Sequence, residues 1–124
     1  MTAAKLAFFK LIVSDLARMT AFYEAAFDFH QVNGFDTPDF EEAMFRQGDD
    51  PFLFMLLCYK DGRTLGDSAA HGPTGFVTDD LDGALAKAIA AGATLKLGPM
   101  DVGPTRVAFL DDPEGHEIEV IQFI

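Results

Sequence analysis

The residues of this chain that could do chemistry are few. Glu119 leads them, lying with Glu117 in the apolar run Glu117–Phe123. A carboxylate among apolar groups can serve as a general base or a cation ligand. Left unpaired there it is costly, so it takes a protein partner, a water, a ligand cation or a raised pKa. Arg106 and Lys10 sit in two other apolar runs, and Arg106 can pair with Glu119 from a neighbouring strand or meet a ligand. His30 follows a helical stretch, His71 lies in a loop and His116 in the turn after Asp112-Pro113. These positions suit surface or turn roles. Cys58 lies within Phe52–Tyr59 without an activating neighbour, as a buried inert thiol would. There is no Gly-rich phosphate loop, no Ser/His/Asp constellation and no Cys/His pair of catalytic spacing.

The elements that position these groups come from one domain-sized chain of 124 residues, 49% of them hydrophobic, with 13 phenylalanines. That is ample for a core and argues against disorder. Nine basic against 20 acidic residues give a net charge of −11, spread as −4 over residues 1–65 and −7 over 66–124. Nucleic acid and anionic membranes are excluded as partners, since both need a basic footprint; a cationic ligand stays open. A single cysteine forms no internal disulfide. No run reaches the ~18 apolar residues of a membrane span. Met1–Lys10 lacks the pattern of a signal peptide, so a cytoplasmic location is expected.

The chain is written twice. Val13-Ser14-Asp15-Leu16 returns as Val77-Thr78-Asp79-Asp80-Leu81. Each copy opens a helical pattern: Leu16, Met19, Phe22, Tyr23, Ala26 and Phe27 in the first, Leu81, Ala84, Leu85, Ala88 and Ile89 in the second. Ser14 or Asp15 can cap the first helix and Thr78 or Asp79 the second, with Gly92 at the second's end. Strand-like runs follow each helix: Phe29–Phe35, Glu42–Gln47 and Phe52–Tyr59, then Thr94–Leu97, Thr105–Leu110 and Glu117–Phe123. Turn residues separate them, Gly98-Pro99 among them. The expected fold is α+β: two βαβββ modules forming a curved mixed sheet around a cleft, with the helices on the outer face. The modules span residues 1–62 and 70–124 of a single domain, with a linker at 63–69.

Val13-Ser14-Asp15-Leu16 with Ala21-Phe22-Tyr23, and Asp112-Pro113-Glu114-Gly115-His116-Glu117-Ile118-Glu119-Val120, carry a resemblance. The chain resembles the vicinal oxygen chelate superfamily of glyoxalases, bleomycin-resistance proteins and extradiol dioxygenases over nearly its whole length. The resemblance implies a divalent metal held from four strands in the family's metal enzymes. The matching positions are Phe8, Leu56 (with Met55 as the alternative), Pro73 and Glu119. Only Glu119 is of a ligand type, and His71 could supply one more by a slip of register. No metal ligands and no cofactor are therefore expected.

Strand alternation places further side chains beside Phe8 and Glu119. Lys10 and Ile12 follow Phe8, Glu117 and Ile121 follow Glu119, and Arg106, Ala108 and Leu110 come from the seventh strand. Phe54, Leu56 and Cys58 come from the fourth; a one-residue slip replaces them with Met55, Leu57 and Tyr59. The expected ligand-binding set is thus Phe8, Lys10, Phe54, Leu56, Arg106 and Glu119. An apolar cleft with a few charges suits a small organic molecule. The alternative is a lyase, isomerase or dioxygenase with Glu119 as catalytic base or ligand in a non-standard metal site. The resemblance also implies a homodimer.

Overall fold

The structure, a computed structural model, describes residues 4–66 and 71–124. Expected linker residues 67–69, and residue 70 where the second module was expected to start, lie outside the described residues. The order is β1 (Phe8–Ile12), α1 (Leu16–Phe27), β2 (Phe29–Asp36), β3 (Phe40–Gln47) and β4 (Leu53–Tyr59). Then come β5 (Thr74–Val77), α2 (Leu81–Ala91), β6 (Thr94–Val102), β7 (Thr105–Asp111) and β8 (Glu117–Phe123). This is βαβββ twice, an α+β fold. The described residues form two compact units: residues 4–24 with 28–65, and residues 25–27 with 66 and 71–124.

Each unit holds its own four-stranded mixed sheet. The first has the order β1-β4-β3-β2 and the second β5-β8-β7-β6. One parallel pair, β1 with β4 or β5 with β8, is joined to two antiparallel ones.

Local chemistry sets the ends of the helices. The Asp15 carboxylate accepts from the Arg18 backbone N–H at 3.0 Å and starts α1; Asp28, in the left-handed region, ends it. The cap of α2 is Asp80, which accepts from Gly83 N–H at 3.0 Å. Thr78 and Asp79, the expected caps, lie just outside it, and the Thr78 hydroxyl oxygen instead accepts from Asp80 N–H. Gly92 ends α2 at φ 126°.

In the first unit the Tyr23 ring meets Phe54 at 4.9 Å between centroids, and Phe29 stacks on Phe54 at 5.0 Å. In the second, Leu81, Leu85 and Ala88 are buried along α2, and the Gln122 side-chain oxygen accepts from Leu81 N–H at 2.8 Å. Each sheet thus has a helix-bearing face and a helix-free face.

β6 departs from the expected pattern. Gly98-Pro99 lies inside the strand, where the ladder with β7 shifts register, rather than in a turn ending it. β6 is an edge strand, which tolerates a proline and a local irregularity. Gly98 is required there: its φ is 88°, and a Cβ would lie 2.7 Å from the Val107 carbonyl oxygen.

Candidate functional site

In the first unit, β4 fixes which residues share a face. Phe54 contacts Tyr23 of α1, so Phe54, Leu56 and Cys58 belong to the helix-bearing face. Phe54 is 4% exposed and Leu56 0%. The expected placement of Phe54 and Leu56 in the cleft is therefore corrected. Both alternating sets of β4 are apolar, so the sequence pattern could not choose between them. The slipped set, Met55, Leu57 and Tyr59, shares the helix-free face with Phe8 and Lys10, as the Lys10–Met55 pairing requires.

Lys10 leads to a residue that sequence reasoning missed. Its Nζ lies 2.9 Å from Oε2 of Glu42, from β3, across the intervening β4. Glu42 is only 5% exposed. The contact is an ion pair whose angles fall short of a hydrogen bond, so Oε2 is buried without an aligned donor. Such a carboxylate depends on its cation, because an unsatisfied buried polar group costs about 1–3 kcal/mol. The usable signal was the pattern of β3, in which Ala43 and Phe45 are buried and turn Glu42, Met44 and Arg46 to the other side.

Around this pair the face is apolar. Met55 and Leu57 are buried, while Phe8 on one edge strand and Phe35 on the other are 49% and 51% exposed. Lys10 Nζ also lies 5.6 Å from the centre of the Phe8 ring. Arg46 is half-buried, and its Nε is shut off from solvent with no hydrogen-bond partner.

In the second unit Glu119 and Arg106 are not brought together. Arg106 approaches Asp82 of α2 at 4.0 Å, and its cross-strand partner Gln122 bonds the start of that helix. Arg106, Ala108 and Leu110 therefore lie on the helix-bearing face, which corrects the expected placement of Arg106 in the cleft. Val107 and Phe109 take the opposite face, with Glu119. Glu119 is half-buried, its cross-strand neighbours are Phe109 and Gly75, and it has no polar partner among the described residues. Its neighbour along the strand, Glu117, accepts from Lys96 Nζ at 2.8 Å. That bond, then the nearby Asp111 charge, raises the Lys96 pKa.

The histidines fall into structural places. His71 is exposed, precedes β5 and hydrogen-bonds the Gly72 carbonyl at 2.9 Å. His116 Nδ1 lies 2.9 Å from the buried Asp112 carboxylate, which also accepts from the backbone N–H groups of Glu114 and His116. The closing motif is thus a turn pinned by Asp112. Among the described residues no group of three or more His, Cys, Asp or Glu side chains could hold a metal ion.

The helix-bearing side of the first unit also has an open groove of about 760 Å³ between the start of α1 and strands β2 and β3. Cys58 lines it, its Sγ 3.6 Å from the Ser14 carbonyl oxygen. No helix among the described residues is long and apolar enough to cross a membrane.

Known proteins are similar to this chain in sequence and fold. A lactoylglutathione lyase of Haemophilus influenzae is 24% identical over 128 residues, covering 90% of this chain and 87% of the relative. A glyoxalase/bleomycin resistance protein/dioxygenase family enzyme from Burkholderia phytofirmans PsJN superposes with a TM-score of 0.78 at 23% identity, over 98% of this chain and 100% of that one. TnmS3, an antibiotic binding protein from Streptomyces sp. CB03234, gives 0.79 at 21% identity, over 100% and 99%. The family profile itself matches residues 5–120. With nearly the whole chain matched, the protein belongs to the Glyoxalase/Bleomycin resistance protein/Dioxygenase superfamily.

Proposed function

We propose that the chain binds a small, largely apolar organic molecule without a family-type metal centre, using the helix-free face that holds Phe8 and Lys10. One observation carries this: a buried carboxylate, Glu42, is paired with Lys10 on an apolar face flanked by two half-exposed phenylalanine rings. Apolar walls with a few fixed polar groups are what a small-molecule site offers. The donor set speaks against the metal. Phe8 stands at the first ligand position, hydrocarbon or thioether side chains at the second and Pro73 at the third. Glu119 alone suits a hard divalent cation. The antibiotic-binding relative supports the same reading.

A thermal-shift screen of apolar fragments and divalent metal ions tests it. Fragments should raise the Tm, by an amount that grows with concentration. Stabilisation by divalent ions alone would contradict the reading.

A second reading keeps Glu119 as catalytic base, or as ligand of a non-standard metal site, in a lyase, isomerase or dioxygenase. The observation favouring it is a half-buried carboxylate with no polar partner among the described residues. The lactoylglutathione lyase relative lends it support. Metal analysis of protein purified without chelator, with a Glu119→Gln variant, separates the two readings. Stoichiometric metal together with loss of activity in the variant would favour the enzyme.

The same proposal takes the protein to be a cytoplasmic homodimer. Exposed Leu97, Val102 and Phe123 in the second unit supply apolar surface for association.

A further inference from the structure

We infer that the ligand is an organic acid, an aromatic or aliphatic body bearing a carboxylate that Arg46 receives. This rests on the small-molecule reading above and names the chemical class. Arg46 belongs to β3 and shares the helix-free face with Glu42, Lys10 and Phe8. Arg46 is half-buried, its Nε is closed to solvent, and it has neither an acidic nor a hydrogen-bond partner among the described residues. That is unexpected in a chain with 20 acidic and nine basic residues. Its cross-strand neighbour on β2 is His30, which brings no carboxylate.

Charge on this face does not balance. Lys10 and Glu42 neutralise each other, leaving Arg46 with a full positive charge beside apolar surface. A guanidinium presents a planar fork of N–H donors that fits a carboxylate with two parallel bonds. An amine would meet Arg46 with like charge, and a neutral body would leave the donors unpaired. The net charge of −11 by itself suggests cationic ligands, but the charge left unpaired on this face among the described residues, Arg46, is positive.

The test titrates the protein calorimetrically with phenylacetate, phenylacetamide and phenethylamine, which share a body and differ in the polar head. The acid should bind about tenfold more tightly than the amide, and the amine least tightly. Rising salt should weaken the acid alone. Arg46→Gln should bring the acid down to the affinity of the amide, and Arg46→Lys should restore part of the difference. Arg18→Gln, on the exposed face of α1, should leave all three unchanged. The comparison among ligands on the unaltered protein stands even if an Arg46 variant folds poorly. Acid and amide binding equally, or the amine binding best, would overturn the inference while leaving the small-molecule reading intact. Failure of all three to bind would overturn both.

Discussion

Lys10 and Glu42 show what a single contact does on this face. Glu42 is almost entirely buried and its ion-pair partner among the described residues is Lys10, itself 39% exposed at the side chain. Removing the lysine leaves the carboxylate in place without compensation, whereas removing both leaves an apolar patch. Lys10→Met should cost about 1–3 kcal/mol in urea unfolding. The double variant Lys10→Met/Glu42→Leu should recover most of that loss; an unrecovered double variant would show that Glu42 is held by other contacts. Alternation along β1 puts Phe8 and Lys10 on one face of the strand. It could not choose the face for Arg106 and Phe54, because Val107/Phe109 against Ala108/Leu110, and Phe54/Leu56 against Met55/Leu57, offer two apolar faces each. Only long-range contacts, Arg106 with Asp82 and Phe54 with Tyr23, break the tie.

Among the elements, β6 gives the sharpest test. Gly98 combines positive φ with close approach to the Val107 carbonyl, so Gly98→Ala should destabilise by about 1–3 kcal/mol in denaturant unfolding. A neutral result would mean the strand can shift away from β7. The sequence marked Gly98-Pro99 as a turn because that dipeptide usually is one. At a sheet edge the same residues become an irregularity within a strand. The ladder is also tied by Lys96, whose pKa is raised first by the bond to Glu117 and then by the Asp111 charge. A folded-state pKa above the unfolded one gives stability that is complete below the unfolded value and is lost as pH rises through the folded value. Unfolding followed into the alkaline range should therefore show this contribution fading, and Lys96→Met should remove that part of the dependence. The helices were legible because caps and apolar spacing act locally; only the cap of α2 moved, from Thr78 or Asp79 to Asp80.

At the scale of the whole molecule, the duplicated pattern in the sequence is a duplicated βαβββ unit in space, each with its own sheet. The duplication was visible because Val13–Leu16 and Val77–Leu81 mark the same strand-to-helix turn. The candidate site was less visible, because Glu42 and Arg46 come to share a face with Lys10 only when β3 is laid beside β4 and β1. Light scattering after size exclusion should report a dimer, with Leu97→Lys or Phe123→Lys shifting it towards monomer. A monomeric parent protein would contradict that assignment. The central claim, that the helix-free face of the first unit receives a small organic molecule, is tested most directly by methyl NMR. Methionine-labelled protein would be titrated with phenylacetate and phenylacetamide. Met44 and Met55 lie on that face and Met19 is buried in α1. The Met44 and Met55 methyls should move on titration while Met19 stays; movement of Met19 with Met44 and Met55 unchanged would contradict the claim.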